Sequence, residues 1–351
     1  MAEADPTFDI DTLPPVREID ARGLTAEGFA RDVASRYEPT LLRGLSADWP
    51  AVQAGLQPPA AIRDYLARFD SGMPIKAFMA PETTEGRFSY RPTMDGFNFT
   101  IVDTKLAFLL QTLIAVAEKG QRQAIYLGST AVRQLLPGFE EQNAMPVLAG
   151  KADAEPRIWI GNDTNVSAHY DEADNIACVV RGRRRFVLVP PEQVANLYVG
   201  PLERTVAGRP TSLVDLSRPD FELYPRIRDA LATATVADMG PGDGLFIPSL
   251  WWHHVRATGP LNILVNYWWS DAPADAGSPL HALAHGLLTI SHLPEPKRRA
   301  WRALIDHYVF QLNGNPAEHI PPAARGLLGE STPQQRAMLK QFLRQMLSQL
   351  G

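Results

Sequence analysis

The chain has 351 residues, 45% of them hydrophobic and 21% charged, with a formal net charge of -5. That composition is ordinary for a soluble globular protein with a sizeable core, and an acidic balance argues against a nucleic-acid-binding domain, which carries a net basic face. A single cysteine, Cys178, excludes an intramolecular disulfide and a cysteine-rich zinc site, and no run reaches the ~18 apolar residues that a membrane span needs. Residues 1–15 are acidic and lack the apolar stretch of a secretory signal, so the expected location is cytoplasmic.

Residues 1–13 read as a loose tail. Leu24, Phe29 and Val33 fall on a helical period and predict a short helix over 24–36. Residues 39–43 read as a buried strand, 44–50 as a turn, and 64–69 as the end of a second helix. Strand character follows at 75–79 and 88–90 and continues at 97–100. Residues 106–118 are apolar at helical spacing, with Gly120 as the stop.

From Tyr126 onward the pattern changes to short apolar runs, at 157–161, 167–170, 175–180, 184–189, 244–247, 251–257 and 261–268. Pro190-Pro191, Pro241-Gly242-Asp243 and Gly259-Pro260 read as the turns between them. Many short strands punctuated in this way predict a mainly β fold, a barrel or double-sheet jelly roll, with helices around it. Residues 192–236 read as loop and helix. After Asp271 the strand pattern stops, and helices are expected over 281–288, 297–312 and 333–350. The last begins with Thr332 as cap and Pro333 at the first position, and it carries a stripe of Met338, Leu339, Phe342, Met346, Leu347 and Leu350. His281 and His285, four residues apart, read as a surface pair.

The chemistry lies in His169-Tyr170-Asp171. Residues i and i+2 of a strand face the same side, so an imidazole and a carboxylate can meet one ion there. The third ligand must come from another strand, and His253, in the run Leu250-Trp-Trp-His-His254, is the best candidate. Two His and one carboxylate on one face leave three octahedral positions open, the non-haem iron(II) arrangement. An open zinc site uses similar ligands, so the residue types alone leave zinc as an alternative.

The segment Asn165-Val-Ser-Ala-His-Tyr-Asp-Glu-Ala-Asp-Asn175 resembles the first metal-binding motif of the JmjC-like cupin 2-oxoglutarate oxygenases, and within them the group that contains the asparaginyl hydroxylase factor inhibiting hypoxia-inducible factor. Gly182-Arg-Arg-Arg-Phe-Val-Leu-Val-Pro-Pro-Glu-Gln193 resembles the family's next strand and turn. Pro241-Gly-Asp-Gly-Leu-Phe-Ile-Pro-Ser-Leu-Trp-Trp-His-His254 and Val265-Asn-Tyr-Trp268 resemble its closing strands, and a looser similarity covers about residues 14–270. The resemblance implies a double-stranded β-helix (cupin) barrel with an N-terminal α/β elaboration. It implies an oxygenase domain over 14–272 and a helical dimerisation region over 273–351. It also selects His253 over His254 as the third ligand, leaving His254 on the opposite strand face.

The same resemblance implies Fe(II) and 2-oxoglutarate. The family usually places a Lys for the distal carboxylate where this chain has Arg184. Arg grips a carboxylate through two parallel hydrogen bonds, so the chemistry survives in a rearranged pocket. Arg183 and Arg185 then face the other side; a solvated basic run or phosphate contact over 181–185 is the bland alternative. Asn175, Asn266 and Tyr126 match positions that lie by the cosubstrate or the metal-bound carboxylate. Ser167 or Thr164 takes the place of a family Thr, although the local spacing differs.

The implied reaction uses dioxygen to hydroxylate a protein or peptide side chain, with a homodimer as the assembly and neither nucleic acid nor membrane as partner. The alternatives are a small-molecule hydroxylase of the same fold and a non-catalytic metal-binding cupin with a regulatory role.

Overall fold

The computed structural model describes residues 8–206 and 208–348. Residues 1–7 of the expected tail and Leu350 of the expected stripe lie outside the described residues. The chain divides into two compact units, Met1–Ser270 and Asp271–Gly351.

The first unit is built on β1 (Arg17–Asp20), β2 (Thr40–Arg43), β3 (Ile75–Ala80), β4 (Arg87–Phe88), β5 (Thr100–Thr104), β6 (Ala124–Ala131), β7 (Glu155–Gly161), β8 (Thr164–His169), β9 (Asp174–Val189), β10 (Thr235–Met239), β11 (Gly244–Ile247) and β12 (Trp252–Trp269). The sheet runs β1-β2-β11-β9-β12-β7-β6-β3-β5, with β10 added to β9, and with β8 joining β12 to β4. This is a jelly-roll cupin barrel with helical elaborations, as the strand pattern and the resemblance led us to expect.

Two long strands organise it. β9 pairs with β10, β11 and β12, and β12 pairs with β7, β8 and β9. Period-2 alternation sends their side chains to separate cores. Ile176, Cys178 and Val180 of β9, with Ile263, Val265 and Tyr267 of β12, pack outward against Leu106, Leu109, Leu110 and Leu113. Those leucines form the buried stripe of the helix Leu106–Glu118, which ends where the sequence predicts. Ala177, Val179, Phe186 and Leu188, with Val255 and Leu264, point the other way, into the barrel. The functional cavity opens inside this second layer.

Three sequence expectations change. Gly259-Pro260 and residues 181–183 were expected to separate strands, yet β9 and β12 pass through them unbroken. The register slips between Thr258 and Ile263 instead. Gly182 has φ of +83°, and a Cβ there would stand 1.9 Å from Asn262 Oδ1. The glycines are bends within strands, where the barrel turns a corner, and not strand ends. Strand β5 begins at Thr100, so the expected run at 97–100 is loop except for its last residue. β1, β6 and β10 carry no alternation strong enough to mark them; β1 earns its place by parallel pairing with β2.

The second unit holds the helices Pro279–Thr289, Glu295–Tyr308 and Pro333–Leu347. Thr332 Oγ1 accepts from the Gln335 amide at 3.2 Å, the cap read from the sequence. Leu283, Leu287, Trp301, Leu304, Phe342 and Met346 of these helices are exposed. Among the described residues, no helix is long and apolar enough to cross a membrane.

Candidate metal centre

His169 ends β8 and stands directly opposite His253 near the start of β12. Asp171 follows just beyond the strand, and its carbonyl accepts from the Leu250 amide at 2.8 Å. That contact uses a strained residue. Leu250 has φ of +66°, in the left-handed region that non-glycine residues rarely adopt. The three side chains converge. One potential ligand atom from each of His169, Asp171 and His253 lies within 4.8 Å of the others, the one such group of three among the described residues. The imidazole rings are 4.3 Å apart, and His253 Nε2 is 3.7 Å from Asp171 Oδ2.

Hydrogen bonds set the ring orientations. His169 Nδ1 is 3.0 Å from the Ser167 carbonyl, and His253 Nδ1 is 3.0 Å from the Trp251 carbonyl. A carbonyl only accepts, so each Nδ1 carries a proton and each Nε2 is the ring nitrogen left to face an ion. Burial, reinforced by the neighbouring His169, pushes the His253 pKa down to about 4, so its ring is neutral near pH 7. Two imidazoles and one carboxylate on one face are a donor set that fits a divalent transition metal with open positions.

A chain of amides runs to the carboxylate. Asn266 donates to Asn175 Oδ1 at 3.1 Å, and Asn175 reaches Asp171 Oδ2 at 3.5 Å. Trp159 Nε1 donates to Asn266 Oδ1 at 2.7 Å, fixing which way that amide faces. The structure therefore brings Asn175 and Asn266 to the triad together.

The triad lines a cavity of about 450 Å³ that also meets Tyr126, Trp159, Asn175, Arg184 and Asn266. Arg184 is 4% exposed. Burial pulls its pKa down, against the opposing effect of the Tyr126 hydroxyl beside it. Its Nε is buried without a hydrogen-bond partner. Tyr126 is pushed up to about 12 by burial, so it is a neutral phenol. Arg183 is exposed, and Arg185 pairs with Asp238 and Asp11 on the opposite strand face, as alternation requires. Ser167 is placed differently from the other expected residues. It does not line the cavity, its hydroxyl is buried without a partner, and its carbonyl holds the His169 ring.

Four further residues escaped the sequence reading. Arg209 sits in the cavity wall with Nε 3.9 Å from Asp171 Oδ1, and its Nη1 donates to Glu172 at 2.6 Å. It lies in the irregular stretch 192–236, where no periodicity marks a facing direction. Arg157 and Trp159 are two apart on β7 and both line the cavity, a pairing that the alternation of that strand would have exposed. Asp215 completes a buried knot with His254. His254 Nε2 donates to Asn165 Oδ1 at 2.6 Å, and Asn165 Nδ2 donates to Asp215 at 3.2 Å. Burial alone would raise the Asp215 pKa, but Arg87, His254 and Asn165 outweigh it and hold the carboxyl below the usual range. His254 thus braces the segment 211–217 against the metal strands, the packed role expected for it.

A larger concavity of about 670 Å³ touches Arg43, Arg183, Arg184, Arg185 and Arg256 but none of the triad, so Arg184 reaches both spaces and only the smaller one holds the triad. Arg43 and Arg185 are spent there on Asp243 and Asp238, so size does not select the site.

The cupin-like domain family model matches residues 26–275. The tRNA wybutosine-synthesizing protein 5 of Gallus gallus is 26% identical over 322 residues, covering 81% of this chain and 92% of that protein. The lysine-specific demethylase JMJ31 of Arabidopsis thaliana is 26% identical over 275 residues, covering 71% of this chain and 49% of the demethylase. The Jumonji C domain-containing protein 5 of Drosophila melanogaster is 24% identical over 261 residues, covering 72% and 59%. With the family match spanning most of the 351 residues, the chain belongs to the cupin-like domain family, and proteins of the JmjC type stand among its relatives.

Proposed function

We propose that this chain is an iron(II)- and 2-oxoglutarate-dependent dioxygenase that hydroxylates a protein or peptide side chain. The observation that carries the reading is Arg184. A guanidinium buried at 4% exposure, with no carboxylate paired to it among the described residues, shares one cavity with a convergent His-Asp-His group. An isolated buried cation is costly unless an anion joins it. A dicarboxylate that reaches from the metal to Arg184 supplies that anion, whereas a zinc hydrolase has no use for it.

His169, Asp171 and His253 would hold the metal through their Nε2 and carboxylate atoms. Arg184 would clamp the distal carboxylate, and the neutral Tyr126 phenol would donate beside it. Asn175 and Asn266 keep the Asp171 carboxylate in place, and Ser167 orients His169 through its carbonyl. Iron(II) and 2-oxoglutarate, when bound, supply the oxidation: dioxygen is consumed, one oxygen atom passes to the substrate, and succinate and carbon dioxide leave. The barrel core around Phe186, Val255 and Leu264 keeps bulk water from the inner end of the cavity.

The relatives named as a tRNA wybutosine-synthesizing protein and a lysine-specific demethylase are consistent with a macromolecular substrate. We assign the oxygenase domain to residues 14–272 and a dimerisation region to 273–351. The exposed apolar residues of the C-terminal helices suit a second copy of the chain. The buried free thiol of Cys178 suits the reducing cytoplasm.

The test is anaerobic binding of iron(II) and 2-oxoglutarate followed by succinate release on admitting oxygen. Wild-type protein that binds neither, or turnover that survives His169→Ala, would refute the proposal. Metal binding without 2-oxoglutarate binding would favour a non-catalytic cupin.

A further inference from the structure

The cavity holds two cations that the metal and the cosubstrate leave unused. Arg157 and Arg209 both line it. The register places Arg157 opposite Asn266, and Trp268 two residues further along β12, toward the Asn175 end of the barrel. Arg184 lies opposite Ala257, further along β9 from Asn175. A divalent ion, a dianionic cosubstrate, Asp171 and Arg184 sum to zero charge, so Arg157 and Arg209 remain. Arg157 pairs with Glu155 and Arg209 with Glu172, and neither glutamate lines the cavity; Arg209 also stands 3.9 Å from Asp171, the carboxylate given to the metal.

Arg157 is fixed by unusual means. β6 slips register against β7 between Leu127 and Thr130, a bulge at Gly128-Ser129. Ser129 carries φ of +42°, a strained value for a residue with a side chain. The result is that the Ser129 carbonyl accepts from Arg157 Nη1 at 3.0 Å, while Nη2 donates to Glu155 at 2.9 Å. The guanidinium then lies 5.6 Å from the centroid of the Trp268 ring. Among the described residues, Arg157 Nε and Trp268 Nε1 are both buried donors without an acceptor. Strain spent on aiming one arginine, and a neighbouring pair of donors with nothing to receive them, mark a place where a ligand brings the acceptor.

We propose that the prime substrate presents a carboxylate to this wall, read by Arg157 and Trp268, with Arg209 as a second cation near the metal. This rests on the oxygenase reading for the word substrate, but the carboxylate preference itself belongs to Arg157 and its bulge. An acidic residue of a peptide and a small free carboxylic acid share that chemistry, and the peptide is the source that we favour.

The test uses the full chain, with and without manganese(II) and 2-oxoglutarate, under anaerobic conditions. Three probes are titrated calorimetrically: a nonapeptide pool rich in Asp and Glu, the matched pool with Asn and Gln, and a pool of free amino acids and small dicarboxylic acids. The acidic peptide pool is expected to bind at least about tenfold more tightly than its amide counterpart, and Arg157→Gln to remove most of that preference. Arg209→Gln is the second variant should Arg157→Gln fail to fold, and it too should weaken the acidic pool. Binding of the free acids alone would keep the carboxylate and change its source. Equal binding of both peptide pools, a preference untouched by both variants, or displacement of the acidic pool by an RNA oligonucleotide would overturn the proposal. Parallel titration of 2-oxoglutarate alone reports on the oxygenase reading separately, so the two can fail independently.

Discussion

Replacing Arg184 with Met separates a ligand-binding cation from a structural one. The side chain is 4% exposed and, among the described residues, meets the Tyr126 hydroxyl but no carboxylate, so the unliganded protein carries the cost of a buried charge without a counter-ion. Substituting an apolar side chain of similar length for a buried ionic group is often neutral or stabilising, by about 1–4 kcal/mol. At about 2–4 °C per kcal/mol for a domain of this size, the melting temperature of the metal-free protein should hold or rise by several degrees. Binding should move the other way. Truncating one partner of a buried, hydrogen-bonded charge pair costs about 2–5 kcal/mol, which corresponds to roughly 30- to 4000-fold in affinity. Calorimetric titration of 2-oxoglutarate into the manganese(II) form measures the second effect, and thermal unfolding of the metal-free form the first. If Arg184 is instead a structural cation, Arg184→Met should unfold at lower temperature and bind 2-oxoglutarate within threefold of wild type. That pair of results would refute the assignment.

Gly182→Ala puts a Cβ against Asn262 Oδ1 at a backbone angle that L-residues avoid, and should destabilise by about 2 kcal/mol or more, seen as a lower denaturant midpoint. Leu250→Gly removes an uncommon φ from a 44% exposed side chain, so stability should change by less than about 1 kcal/mol. Burial lifts the Cys178 thiol to about 12, so iodoacetamide at pH 8 should modify it in denatured protein and leave it intact in native protein. The same shift has a sign for stability. The native thiol holds its proton above the ordinary value of 9.0, so unfolding releases protons at high pH, and stability should fall as pH rises from about 9 towards 12.

The metal centre was readable because its information is local. His169 and Asp171 were read as i and i+2 of one strand; β8 in fact ends at His169, yet Asp171 just beyond it still meets the same point, and one further His in a strand-like run completed the set. The third ligand was chosen over its neighbour by resemblance, and the structure gives the physical reason: His254 is turned away and bonded to Asn165. The barrel class followed from turn chemistry, but glycine and proline were read too literally. Gly182 and Gly259-Pro260 bend continuous strands, because closing a barrel requires corners as well as ends. What the sequence hid is what depends on pairing. Arg157 owes its place to a bulge in β6, and Arg209 to a loop whose Thr211 bridges to His169. No periodicity in one segment reports a contact made by another.

The most direct test of the account counts metal and succinate together. Anaerobically reconstituted protein should bind one iron(II) per chain, and on exposure to oxygen it should convert 2-oxoglutarate to succinate, slowly without a prime substrate. His169→Ala, Asp171→Ala and His253→Ala should each lose both. Iron bound with undiminished affinity by all three variants, or wild-type protein that holds iron but neither binds nor consumes 2-oxoglutarate, would contradict it.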